Sequence, residues 1–182
     1  MKIFERPIRQ GNKECAFEKY HILLVLRWPV GGIRTFIRYE YGNFDRSKYT
    51  ILAPDMPELQ VLLNDLQEVD LSYIRIEQRP SILHFVRSVF DASLRGHYDL
   101  IHSQGVTAGI CSVLGSVVSN TPHIMTSHDV FLKGQFKGLK GLLKKLGLSF
   151  LIPMINIIHS VSYDAQDNLM QYLRVLGVFK KN

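Results

Sequence analysis

The chain has 182 residues, 46% of them hydrophobic and 21% charged, with 22 Lys and Arg against 16 Asp and Glu for a formal charge of +6. That balance belongs to a globular domain with its own core and excludes a low-complexity, collagenous or disulfide-scaffold chain. The surplus of cations suits phosphorylated ligands, nucleic acid or an anionic membrane surface and does not choose among them.

Residues 1–19 are polar and charged, with no apolar run of signal-peptide length. The most apolar later stretch, LGLSFLIPMINIIHSV, is interrupted by Pro153 and falls short of the ~20 residues that span a bilayer. A cytoplasmic protein is expected. Cys15 and Cys111 belong to no CxxC pair and have no histidine at metal-ligand spacing, so both read as reduced thiols.

From Tyr20 short apolar runs alternate with helical patterns. YHILLVLR is too short and too continuously apolar for a helix and reads as a strand buried on both faces. IRTFIRYEYG sets Ile33, Phe36, Ile37 and Tyr41 on one helical stripe, with Gly42 at the C-terminal cap. YTILAP is a second strand ended by Pro54. PELQVLLNDLQEVD places Leu59, Leu62, Leu63 and Leu66 at helical spacing, and LSYIRIEQ alternates like a more exposed strand. SILHFVRSVFDASLRG predicts a helix capped by Ser81, with Leu83, Val86, Phe90 and Leu94 as its inward stripe. YDLIHSQG is strand then turn, VTAGICSVLGSVVSN a helix of small residues able to lie close to a sheet, and TPHIMTSHD strand then turn again. A basic helical stretch over about 132–150 follows, then MINIIHSVS as another buried strand, and YDAQDNLMQYLRVLG as a helix ending at Gly177.

About six alternations of strand and helix predict a mainly parallel sheet with helices on both faces, a Rossmann-like doubly wound domain over residues 20–177. Ligands of such sheets bind beyond the carboxyl ends of the strands, so the informative residues are 27–34, 102–105, 128–129 and 159–162. Adjacent Gly31 and Gly32 allow positive φ and close ligand approach at a helix N-terminus whose free amides favour an anion by roughly 0.3–1 kcal/mol. A tight turn needing glycine for geometry alone fits the pair as well. The dinucleotide fingerprint GxGxxG is absent, and Asp55 is the one acid placed to meet a ribose.

His128 ends one apolar strand and His102 stands near the end of the strand before it. Each suits either a polar cleft or a structural histidine. Ser162 reads as an N-cap, since no Gly-x-Ser-x-Gly elbow surrounds it. FLKGQFKGLKGLLKKLG carries Lys133, Lys137, Lys140, Lys144 and Lys145 with no acid. Such a basic amphipathic segment, residues 132–147, reads as a membrane-surface element or as the solvated outer face of a helix. At ~1 kcal/mol per lysine the attraction reaches about 5 kcal/mol, enough for reversible attachment. Few aromatics interleave with the lysines, so nucleic acid is not expected as a partner.

With the strand ends in this order, the chain resembles the amino-terminal, acceptor-side domain of GT-B fold glycosyltransferases of the group 1, GT4-like family. ILLVLRWPVGGIRTFI matches that family's first strand and Gly-Gly loop, YDLIHSQGVTAG its D-hydrophobic-hydrophobic-H-x-x-G segment, PHIMTSHD its T-x-H-D/G segment and IIHSVSYDAQDNL its hydrophobic-x-V-S segment. The resemblance implies a retaining transfer of sugar from a nucleotide donor to a glycan, lipid-linked or small-molecule acceptor, with no metal. It implies that Gly31 and Gly32 face the donor diphosphate and acceptor with Arg34 lending charge, that His128 acts beside the transferred sugar, and that His102, Gly105 and Asp129 border the acceptor cleft. Residues 178–182 fall where that family's linker to a donor-binding domain begins, so the expectation is half a cleft, inactive alone. The alternatives are a non-catalytic Rossmann-like binding module and a nicotinamide oxidoreductase domain.

Overall fold

The structure, a computed structural model, describes residues 19–42, 47–128, 130–132 and 134–174. The predicted polar segment before Lys19, Cys15, Asp129, Lys133 and the end of the last helix at Gly177 lie outside the described residues.

Six strands form one sheet: β1 (Tyr20–Leu26), β2 (Ser47–Pro54), β3 (Leu71–Ile76), β4 (Leu100–Gln104), β5 (His123–Ser127) and β6 (Ile157–Ser160). Their order is β3-β2-β1-β4-β5-β6, and every neighbouring pair is parallel. Six helices connect or follow them: α1 (Gly31–Tyr41), α2 (Pro57–Asp65), α3 (Ile82–Arg95), α4 (Val106–Ser119), α5 (Gly138–Leu151) and α6 (Tyr163–Arg174). This is an α/β, Rossmann-like, doubly wound fold, as the alternating pattern predicts.

Strand alternation divides the core into two layers. Leu24 and Leu26 of β1, with Ile51 and Ala53 of β2, pack under Ile37 of α1 and under Leu59, Leu62 and Leu63 of α2. On the other face Leu23, Val25 and Leu52 meet Phe85 and Val89 of α3 and Ala108 and Cys111 of α4. Further along that face Val113 and Met125 meet Leu148 of α5 and Leu169 of α6. Each fully buried leucine or isoleucine contributes ~1.5–3 kcal/mol.

The small residues of α4 do what their size suggests. A Cβ added at Gly109 would collide with the Met125 side chain of β5, and one at Gly115 would press on Ser93 of α3. Asn120 ends α4 in the left-handed conformation that helix C-termini favour. Gly42 does cap α1, but in right-handed backbone; glycine is needed there because a Cβ would strike the Arg38 carbonyl oxygen.

Two expectations fail. The buried stripe of α3 is Phe85, Val89, Ala92 and Ser93, whereas Leu83 and Leu94 face outward. Apolar residues cover a wide arc of this helix opposite His84, Arg87, Ser88, Asp91 and Arg95, so two stripes fit its spacing and only docking on β1 and β2 selects one. The last strand is also less buried than its apolar run implies: β6 is an edge strand, with Ile157 and His159 exposed on one face.

Candidate functional site

β1 and β4 lie side by side, but their connections leave in opposite directions, α1 toward β2 and α4 toward β5. That divergence opens a crevice beyond their carboxyl ends, where doubly wound sheets take their ligands. A cavity of about 550 Å³ occupies it, walled by Arg27 and Trp28 after β1, by Gly105 and Thr107 at the start of α4, and by Lys144 and Leu148 of α5. Gly105 makes the strand-to-helix turn at φ 86°, a conformation open to glycine, and α4 starts there with its positive dipole end. Among the described residues the lining holds two cations, Arg27 and Lys144, and no acid.

Arg27 is fixed rather than free. Its Nη2 donates to the Pro80 carbonyl at 2.8 Å, and its guanidinium lies 5.3 Å from the Trp28 ring centre and 5.0 Å from that of Phe85. Its Nη1 is buried with no hydrogen-bond partner among the described residues. Cys111 also lines the cavity, but burial pushes its thiol up to about 11 despite the opposing pull of Arg27, so it is not a thiolate nucleophile near neutrality.

Beside the cavity, on the face of the sheet next to α1, the strand register sets Gln104, Thr126 and His159 in a row across β4, β5 and β6. His102, two residues before Gln104, points the same way and is buried. Tyr41 of α1 hydrogen-bonds its Nδ1, and the Thr126 hydroxyl lies 2.7 Å from its Nε2. The amide of Gln104 spans two histidines: its N–H₂ donates to His102 Nε2 at 3.1 Å, and its Oε1 accepts from His128 Nε2 at 2.8 Å. With the amide so turned, His102 keeps its proton on Nδ1 and His128 carries one on Nε2. Phe36 of α1 closes the cluster, its ring centre 5.3 Å from that of His128 and 6.0 Å from that of His159.

Burial drives the His102 pKa down to about 3, with the nearby rings of His159, His123 and His128 adding to the effect. The imidazole is therefore neutral across the physiological range, and the Gln104 amide faces a lone pair rather than a cation. Burial likewise lowers His123 to about 4; its Nε2 meets the Ser103 hydroxyl at 2.8 Å on the opposite face of the sheet.

The candidate residues fall in three places. Gly31, at φ 53°, and Gly32 begin α1, and a Cβ on either would meet nothing within 4 Å, so the backbone there is open above. Gly105 lines the cavity, while half-buried His128 is not among its lining residues and joins it through Gln104, which is. His102 lies inside the hydrogen-bond network and not among the residues that line the cavity. Arg34 sits between α1 and α2, 3.9 Å from the Asp65 carboxylate. Asp129 lies outside the described residues. Asp55 is engaged by Arg75 at 3.2 Å, and the Ser162 hydroxyl accepts the Ala165 amide at 3.2 Å, an N-cap. Among the described residues no group of three or more His, Cys, Asp or Glu is placed to hold a metal, and no helix is long and apolar enough to cross a membrane.

Sequence reasoning passes over Gln104, Thr126, Tyr41 and Phe36. Gln and Thr in a strand carry no chemical signature, and Tyr41 and Phe36 read as core positions of α1. The available signal is parity: residues 102 and 104 share one face of β4.

No protein-family model matches the chain, and no curated protein matches it. Among solved structures, a protein from Listeria monocytogenes assigned as a UDP-N-acetylglucosamine 2-epimerase matches with a TM-score of 0.56 at 12% identity, covering 84% of this chain and 42% of that one. A protein of unknown function from Vibrio parahaemolyticus, VPA0982, matches with a TM-score of 0.41 at 11% identity over 82% of this chain and 98% of that one. This chain spans less than half the length of the Listeria protein, and the likeness shows a GT-B-like Rossmann fold.

Proposed function

We propose that this domain is the acceptor side of a sugar-transferring enzyme that uses a nucleotide-sugar donor, one half of a two-domain cleft. The observation that carries the reading is the β1–β4 switch point, where two glycine-made helix starts, Gly31–Gly32 and Gly105, follow neighbouring strands beside a cavity whose described lining holds Arg27 and Lys144, with His128 held by the lining residue Gln104. Fixed amide dipoles aimed at a departing diphosphate stabilise charge that develops in the transition state, without reorganisation during the reaction. His128 offers an imidazole oriented by Gln104 to a sugar hydroxyl. The resemblance of the strand-end motifs to GT4-like enzymes supports transfer with retention and without a metal. Under this reading a second Rossmann-like domain, on this polypeptide or another, grips the nucleotide, and the acceptor is a glycan, a lipid-linked sugar or a small molecule.

The GT-B-like fold shared with a protein assigned as a nucleotide-sugar epimerase favours a second reading, sugar-nucleotide chemistry other than transfer. A nicotinamide site is disfavoured, because GxGxxG is absent and Asp55 is paired with Arg75.

The two readings separate in one experiment. The complete reading frame that encodes this domain is expressed and supplied with a panel of nucleotide sugars, with and without saccharide and lipid-linked acceptors, and nucleoside diphosphate release is followed. Acceptor-dependent release that collapses in His128→Ala supports transfer. Conversion of the nucleotide sugar to an epimer without an acceptor, or no turnover of any donor, sinks it.

A further inference from the structure

The outer surface of a helix that packs on a parallel sheet is normally polar, because only the stripe that meets the sheet escapes water. α5 departs from this. Gly141, Leu148 and Ser149 face the protein and are buried, as is Ile152 just beyond the helix. Leu139, Leu142, Leu143, Leu146 and Phe150, which stand at i, i+3, i+4, i+7 and i+11 on the opposite side, are exposed by 74%, 49%, 60%, 44% and 74%. Val130 and Leu132, just before the helix, are exposed as well, and so are Leu114, Val117 and Val118 of α4 in the same helical layer. Scattered exposed leucines are ordinary; a contiguous stripe of this length is not.

Charge marks what the stripe faces. Between Asp99 and Asp164 the sequence holds five lysines and one acid, Asp129. All five lysines belong to the stretch that leads into and forms α5: Lys133, Lys137, Lys140, Lys144 and Lys145. Lys137 and Lys144 are exposed. An apolar stripe on a helix whose only charged residues are lysines complements an anionic lipid surface, where the leucines enter the acyl boundary and the lysines stay among the headgroups. With 14 residues, ~21 Å of helix, α5 is too short to cross a bilayer and lies along it instead.

We propose that the outward face of α5 docks this domain on an anionic membrane. Lys144 and Leu148 of the same helix wall the cavity, so docking sets that cavity beside the lipid headgroups. The inference stands whether or not the transferase reading holds, because it rests on the outer surface of α5 and not on the chemistry of the cleft.

The test is flotation of the full chain with vesicles of phosphatidylcholine alone and of phosphatidylcholine with phosphatidylglycerol. Wild type is compared with the double variant Leu143→Gln, Phe150→Gln, in which both changes fall on exposed side chains and leave the thermal midpoint unchanged. The expected result is binding to the anionic vesicles, weaker binding to the neutral ones, about 10-fold loss in the double variant, and partial release at about 1 M salt. Absence of flotation by wild type, or equal flotation of wild type and variant, overturns the proposal. So does a wild-type dimer in light scattering that the double variant dissociates while neither floats, because the stripe is then a contact between two copies of the chain.

Discussion

The Oε1 of Gln104 lies 2.8 Å from the Nε2 of His128, while the amide nitrogen of the same side chain reaches His102. One buried glutamine that lines the cavity thereby links buried His102 to half-buried His128. Gln104→Leu leaves both imidazoles without that partner in a protein-walled site, and an unmet buried polar group costs about 1–3 kcal/mol. We expect nucleoside diphosphate release to fall roughly 10- to 100-fold, mostly in kcat. The imidazole ¹⁵N spectrum should show His128 losing its Nε2–H preference. Unchanged kinetics and an unchanged ¹⁵N spectrum would mean that Gln104 does not position His128.

Acid should destabilise the fold through His102 and His123. Both are held neutral when folded, at about 3 and about 4, and titrate near 6.5 when unfolded. Below pH 6.5 the unfolded chain takes up protons that the folded chain refuses, so the stability from each is full above 6.5 and drains away as pH falls toward its folded value. At pH 4.5 the loss is roughly 2–3 kcal/mol per histidine. Urea unfolding at pH 7.5, 6.0 and 4.5 should show the midpoint falling along that course. His123→Asn should flatten the fall, and parallel curves for the two proteins would contradict the assignment.

Gly31 and Gly32 separate conformation from access. Gly31 sits at φ 53°, where an L side chain costs ~1–2 kcal/mol, while Gly32 has no such requirement, and neither position is crowded. Gly31→Ala should lower the thermal midpoint. Gly32→Ala should leave it unchanged or raise it slightly, because alanine is the better helix residue. If ligand approaches the backbone here, Gly32→Ala nevertheless slows turnover by about 10-fold, since its methyl group projects into the space the ligand needs. Full activity in a stable Gly32→Ala protein would reduce the glycine pair to turn geometry.

Asn168 of α6 clamps Phe131, which lines the cavity: its Oδ1 accepts the Phe131 amide at 2.6 Å and its Nδ2 donates to the Phe131 carbonyl at 3.0 Å. Asn168→Ala removes both bonds at a cost of about 1–3 kcal/mol. Hydrogen exchange should quicken first at the Phe131 amide, and the thermal midpoint should drop. Protection of that amide at the wild-type level would show that packing against Phe136 and Tyr172 suffices.

β1 and β2 are readable because each is a short apolar run ended by a polar or breaking residue, and a strand buried on both faces can hardly look otherwise, while β3 is readable from its alternation. Ser81 and Ser162 were readable as caps for a similarly local reason: a hydroxyl one turn before a free amide satisfies it wherever the helix packs. α3 was misread because Leu83 and Leu94 match helical spacing as well as Phe85 and Val89 do, and spacing carries no information about which stripe meets the sheet. β6 reads as buried because Ile157 and Ile158 are apolar, yet among the described residues no strand lies beyond it to complete its environment. The leucines of the basic stretch share a face, as the sequence suggested; that this face turns away from the protein could not be read from their spacing.

By itself the sequence determined the alternation of six strands and six helices, the glycine-bearing turns and the acid-poor, lysine-rich stretch, all of which depend on residues near one another along the chain. Only the tertiary structure decided that β4 lies beside β1, that Gln104 joins two histidines under Phe36, and that the leucines of α5 face outward. Those relations depend on strand order and on the rotation of each helix against the sheet. Both are settled by burying the two apolar layers together, a condition on the whole chain that no local period records.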